Sequence, residues 1–229
     1  MPSPPRKPPT RVYITRHGQT VSNKEGRFCG HSETSLTDVG REQARALGRR
    51  LAGSTVDAVY TSDFSRAIET AALVLEGRAL TPRVDPALRE LHYGEWEMEK
   101  AGDVMRRWPE QYKLMRAEDP AWHPPGGEDV AMVRERTFAA LKRITKEHQH
   151  QTTLMVMHGT AINCLVSAVL GMDLAHTFRF EVANCALTEL VFRRTTPIVM
   201  RLNDVSHLDG LGTKRAATNA AEPGMAAHP

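Results

Sequence analysis

The chain has 229 residues, 41% of them hydrophobic and 25% charged, with a formal net charge of +3. That length suits one domain with a large core, or a domain carrying an insertion. Part of the basic excess lies in the ends (Arg6, Lys7, Arg11, Lys214, Arg215), so no stripe for nucleic acid stands out, and no apolar run approaches membrane-span length.

In chain order, residues 1–10 are proline-rich and read as an extended tail without the apolar segment of a secretory signal. A strand is expected near 11–16, through Val12, Tyr13 and Ile14. A helix near 38–52 has Thr37 as its N-cap, Ala44, Leu47 and Leu51 at helical spacing, and Gly53 to end it. The apolar Ala58, Val59 and Tyr60 predict a strand near 57–61. The helix near 63–76 takes Ser62 or Asp63 as its N-cap, with Arg66 at the helix start and outside the core. Residues 95–127 fit no simple strand–helix repeat. They contain a helix near 100–117, three tryptophans (Trp96, Trp108, Trp122) and the turn Pro124-Pro125-Gly126-Gly127, and they read as a helical insertion capping the site. A helix near 127–148, a strand near 153–158, a helix near 160–170 and strands near 185–192 and 197–203 follow. From Leu208, small residues, Gly and Pro dominate, so 208–229 read as a second tail. The body, 11–207, is one domain, and its alternation of strands and helices argues for an α/β layered fold.

Four segments carry chemistry. Arg16-His17-Gly18 stands where the first strand runs out into a polar loop. Its arginine is a planar fork of donors that matches phosphate oxygens, and its glycine lets the backbone approach an anion. Ser62 through Thr70 opens a helix with Arg66 in its first turn, a natural anion site. Leu88 through Glu97 holds the carboxylate Glu90 between apolar neighbours. His158-Gly159 ends a second strand. Ligands of open α/β sheets bind at the carboxyl ends of strands, where both histidines fall. Cys29, Cys164 and Cys185 are odd in number and lack metal-ligand spacing, which fits free thiols in a reducing cytoplasm.

From about Arg11 to Asp204 these motifs, in this order, resemble the histidine phosphatase superfamily, the phosphoglycerate mutase-like proteins. Asn23, Arg27-Phe28-Cys29-Gly30 and Leu36-Thr37 add to the likeness. The resemblance implies a three-layer α/β/α sandwich around a mostly parallel sheet. It implies His17 as a phosphorylated nucleophile and Glu90 as proton donor. Arg16, Arg66 and His158 would complete the phosphate pocket, with Gly18, Asn23, the Cys29-Gly30 backbone and Gly159 at its rim. Two arginines carry the charge, so neither metal nor cofactor is expected. The partner is a small phosphorylated metabolite; nucleic acid and membrane are not expected, and a homo-oligomer stays open. Of the other histidines, His31, His92, His123, His148, His150, His176 and His207 read as structural or solvated, with His92 nearest a supporting role. Glu95, Glu97 and Glu99 read as a solvated face, Cys29 as a donor of its backbone N–H, and Trp96 as a pocket wall.

Within that family, Glu90-Leu91-His92-Tyr93-Gly94 is similar to the mutases' Glu-Arg-His-Tyr-Gly, but Leu91 replaces their arginine. Glu95-Trp96-Glu97 and Gly126-Gly127-Glu128-Asp129 resemble the phosphatase branch, although Met98 stands where that branch usually has glycine. The expectation is a metal-independent phosphomonoesterase working through phosphohistidine. A phosphoglycerate mutase and a non-catalytic binding protein on the same fold are the alternatives.

Overall fold

The computed structural model describes residues 7–193 and 196–211. Most of both expected tails, 1–6 and 212–229, lies outside the described residues. Six strands form one sheet in the order β3-β2-β4-β1-β5-β6: β1 (Thr10–Arg16), β2 (Ala58–Thr61), β3 (Arg83–Val84), β4 (Thr152–Met157), β5 (Leu187–Arg193) and β6 (Thr196–Asp204). The first four in that order pair in parallel, whereas β5 pairs antiparallel with both β1 and β6.

Side chains alternate across a strand, and here the alternation separates two cores. Val12 and Ile14 of β1, with Met155 and Met157 of β4, face one apolar cluster containing Leu141 and Ile144 of α6 (Val130–Glu147) and Ala161 and Leu165 of α7 (Gly159–Val169). Tyr13, Leu154 and Val156 face the other, with Ala44 and Leu47 of α2 (Asp38–Arg50) and Ala67, Ala71 and Val74 of α3 (Ser65–Val74). Helices therefore cover both faces of the sheet, which makes three layers.

Two elements too short to leave a sequence period were not expected: β3, and α1 (Val21–Glu25), closed by a capping box between Thr20 and Asn23. Thr37 caps α2 as expected, its Oγ1 accepting from Gly40 N at 3.0 Å. Gly53 does not end that helix. It stops at Arg50, where the Arg78 guanidinium donates to the carbonyls of Leu51 and Ser54 and so takes the place of a glycine cap. Nor do Ser62 or Asp63 cap α3: Phe64 holds the N-cap position, because Ser62 bonds His158 and Asp63 pairs with Arg89. The single helix expected near 100–117 is two, α4 (Ala101–Arg107) and α5 (Pro109–Arg116). The residue before proline avoids helical geometry, and Trp108 sits at φ −134°, ψ 61°. The helix expected from 127 starts at Val130, since Asp129 is its N-cap.

Both tail boundaries shift. Thr10 belongs to β1, and Leu208 is fully buried in the second cluster, at the end of a 3₁₀ turn (Ser206–Leu208). Trp96 is no pocket wall: it is fully buried among Phe28 and Trp122, with ring centroids 5.5 and 5.7 Å away.

Candidate active site

The register of β1 and β4 builds the site. Arg16 pairs with Met157, so the next residue of each strand, His17 and His158, must be neighbours. Adjacent strands lie about 4.8 Å apart, and the two imidazole centroids are 5.1 Å apart. The backbone reinforces this: His17 N donates to Met157 O at 3.0 Å, Cys185 N to Arg16 O at 3.0 Å, and Asn184 Nδ2 to His17 O at 2.9 Å.

His17 is buried, and its Nδ1 lies 2.8 Å from Gly18 O. Burial first, then the Arg66 and Arg16 charges, hold its pKa well below 6.5. A neutral ring facing a carbonyl with Nδ1 places its hydrogen there, which leaves the Nε2 lone pair free. His158 is wholly buried and likewise held neutral, by burial and then by Arg66, His17 and Arg16. Its Nε2 lies 2.7 Å from Ser62 Oγ.

The two arginines are fixed by carbonyls. Arg16 Nη1 donates to Val182 O at 2.9 Å, and Gly159 leaves room for its guanidinium, which a Cβ there would meet at 3.3 Å. Arg66 is not outside the core. It is 1% exposed and donates to Gly30 O at 2.6 Å and to Ser32 O at 2.9 Å, with Phe64 4.6 Å from its Cζ. Among the described residues, Arg16 Nε, Arg66 Nε and His158 Nδ1 are buried nitrogens without a protein partner. Three such groups around one imidazole pair form a natural oxyanion cradle.

Glu90 is buried beside them. Its Oε1 accepts from Leu91 N (2.8 Å) and Ala161 N (3.1 Å), and its Oε2 from Thr160 N (3.2 Å). The N–H groups of Thr160 and Ala161, at the start of α7, therefore hold this carboxylate.

The remaining expected residues divide. Asn23 Oδ1 receives Asn184 Nδ2 at 3.2 Å and so joins the rim of His17. Cys29 is half-buried with its thiol on Ser32 O and its pKa pushed up, by burial first; its neighbour Gly30 contributes a carbonyl to Arg66. Gly18 has a reason beside the one expected: a Cβ there would fall 2.3 Å from Gly40 O, so the residue is also small to meet α2. Glu97 is no solvated side chain, since it accepts from His31 N (2.7 Å) and Ser32 Oγ (2.5 Å). His31 fits its structural reading, with its Nε2 2.9 Å from Glu90 O.

Sequence reading missed Ser62, Asn184 and Thr70, which accepts from Gly18 N at 3.0 Å. Ser62 directly follows a strand, in the same position as both histidines, and that placement was the available signal. Nothing in the sequence around Asn184 marks it. Among the described residues no three His, Cys, Asp or Glu side chains are grouped to hold a metal ion, and no helix is long and apolar enough to cross a membrane.

A profile of the histidine phosphatase superfamily (branch 1) matches residues 12–205. An adenosylcobalamin/alpha-ribazole phosphatase of Escherichia coli K12 is 33% identical over 172 residues, spanning 75% of this chain and 85% of its own. A probable phosphoglycerate mutase of Serratia proteamaculans is 34% identical over 206 residues, spanning 87% and 95%. Among solved structures, Bacillus stearothermophilus YhfR matches with a TM-score of 0.85 and 32% identity, over 87% of this chain and 100% of its own. A mycobacterial glucosyl-3-phosphoglycerate phosphatase in complex with VO3 matches at 0.78 and 28%, over 85% and 99%.

Proposed function

The chain belongs to the histidine phosphatase superfamily (branch 1), and from that premise we propose that it hydrolyses a small phosphate monoester through a phosphohistidine on His17. The observation that carries the reading is a pair of buried, neutral imidazoles set between two arginines, with a carboxylate alongside.

Each group has a separate task. A phosphate dianion repels a nucleophile, so Arg16 and Arg66 neutralise it first, and His158 adds a donor to an equatorial oxygen. His17 Nε2 then attacks phosphorus. The N–P bond forms, the P–O bond to the alcohol breaks, and the leaving oxygen takes the proton carried by Glu90. In the second half water attacks phosphorus, its proton passes to Glu90, and the N–P bond breaks to release phosphate. The arginines supply the charge, so turnover persists in EDTA.

Hydrolysis is preferred over transfer because Leu91, at the position of the mutases' arginine, is wholly buried and uncharged. A mutase must grip a second acidic group, and this position offers it no cation. Glu90→Gln tests the scheme. With an aryl phosphate, whose leaving oxygen needs little protonation, the first step survives while the water lacks its base. A burst of phenol then precedes slow turnover, and an acid-labile, base-stable label accumulates on His17. Equal rates on aryl and alkyl esters with no trapped intermediate would overturn Glu90's role. A need for a bisphosphoglycerate primer, without release of inorganic phosphate, would make the chain a mutase.

A further inference from the structure

Arg136, at mid-length in α6, satisfies its guanidinium on one small group of acceptors. Nε and Nη2 form a fork with the Glu128 carboxylate at 3.0 and 2.9 Å. Nη1 donates to Ala87 O at 3.1 Å and to Arg89 O at 2.7 Å, and Nη2 also reaches Glu90 O at 2.9 Å. The side chains of Arg136 and Glu128 are only 21% and 18% exposed. Glu128 in turn accepts from His92 N at 3.0 Å. Three carbonyls from 87 to 90 and the backbone at 92 therefore converge on one ion pair, separate from the bonds that hold the Glu90 carboxylate.

We propose that Arg136, braced by Glu128, is the positioning residue for Glu90: it fixes the backbone from which the proton-carrying carboxylate is aimed at the leaving oxygen. The proposal rests on the reading of Glu90 given above. α7 grips the carboxylate through the N–H groups of Thr160 and Ala161, while α6 grips the carbonyl of the same residue through Arg136. The carboxylate accepts three N–H groups, from Leu91, Thr160 and Ala161, and with the carbonyl of the same residue held by α6 both ends of Glu90 are tied to helices that pack together. Proton transfer needs heavy atoms within hydrogen-bond reach, and a displacement of about 1 Å can cost about a hundredfold in rate. Only a planar fork can reach a carboxylate and several carbonyls at once, since lysine offers its donors from a single point.

The experiment compares wild type, Arg136→Lys, Glu128→Gln and Glu90→Gln on p-nitrophenyl phosphate and on a simple alkyl phosphate, with the inhibition constant of inorganic phosphate as the readout of the anion cradle. In Arg136→Lys the alkyl-ester kcat falls by about tenfold or more, the aryl-ester kcat by less than about threefold, and phosphate inhibition stays within about twofold. Glu128→Gln changes the alkyl-to-aryl ratio in the same direction and carries the comparison if the lysine variant fails to fold. Equal losses on both esters, or weaker phosphate inhibition with an unchanged ratio, overturn the proposal. If Glu90→Gln discriminates between the esters and neither α6-side variant does, only the positioning role falls. If Glu90→Gln itself treats them alike, the acid assignment falls and the proposal with it.

Discussion

Ser62 Oγ lies 2.7 Å from Nε2 of His158, so the hydroxyl and the wholly buried ring share one hydrogen bond. His158 is neutral, so it has one N–H to offer. A serine hydroxyl that donates to Nε2 forces the hydrogen onto Nδ1, the nitrogen with no protein partner. Ser62→Ala frees the ring to hold the other tautomer. One hydrogen bond to a charged ligand is worth about 1.5 kcal/mol, so vanadate inhibition weakens about tenfold in this variant. An unchanged inhibition constant would show that the serine does not select the tautomer.

The two buried imidazoles, His17 and His158, make the fold acid-sensitive. Burial and the arginines depress both pKa values, so the folded chain stays unprotonated at a pH where the unfolded chain, titrating near 6.5, takes up protons. The stability from this difference is complete above about pH 6.5 and declines below it, by about 1.4 kcal/mol per pH unit for each ring until its folded pKa is reached. Urea unfolding of wild type and His17→Asn at pH 7.5, 6.5 and 5.5 checks this. The variant's stability falls less steeply, by about one proton's worth; parallel slopes would contradict the depressed value.

Arg66→Ala removes more than charge. The guanidinium joins α3 to the carbonyls of Gly30 and Ser32. Loss of a phosphate-site arginine lowers kcat/KM by about a thousandfold. Stripping one buried and one part-buried carbonyl of their donor adds about 2 kcal/mol of destabilisation, visible as a lower Tm. A variant with normal melting and near-normal rate would remove Arg66 from both roles.

Met98 sits at φ +61°, the left-handed region that costs a residue with a Cβ about 1–2 kcal/mol. Its backbone is committed, with N on Phe28 O at 2.6 Å and O receiving Arg27 Nη1 at 2.8 Å, while its side chain is largely outside the core. Met98→Gly relieves that strain against a smaller loss of chain entropy and raises Tm by about 2–4 °C. A decrease would mean that the methionine side chain packs more usefully than its exposure suggests.

Sequence periodicity was enough for the long elements because each buries one face. β1, β2, β4, α2, α6 and α7 all appear within a few residues of their expected places. The five-residue α1 and two-residue β3 are specified by caps and pairing partners, which leave no period. Helix ends were misplaced wherever a distant side chain did the capping, as Arg78 does for α2. In the site, His17, Glu90, Arg16, Arg66 and His158 were readable because motif residues cluster in sequence. Ser62, Asn184 and Arg136 act through contacts with sequence separations of 96, 167 and 46 residues, and of the three Ser62 alone had a local signal, its place at a strand end.

The meeting of Gly18 with Gly40 has a consequence for how such a protein can diversify. A Cβ on Gly40 would strike Gln19 O at 2.1 Å, so each glycine is required by the backbone of the other's segment. Together with the bonds from Thr37 N to Gln19 O (2.8 Å) and from Val21 N to Ser35 O (3.1 Å), they close the neck of an excursion that carries Asn23, Cys29, Gly30 and His31. The neck separates the tip of that excursion from His17 along the chain, while Asn23 stays tied to His17 through Asn184. Provided Gly30 and Ser32 keep their carbonyls on Arg66, and Asn23 its bond to Asn184, descendants can acquire new surroundings for a substrate while His17 stays in place.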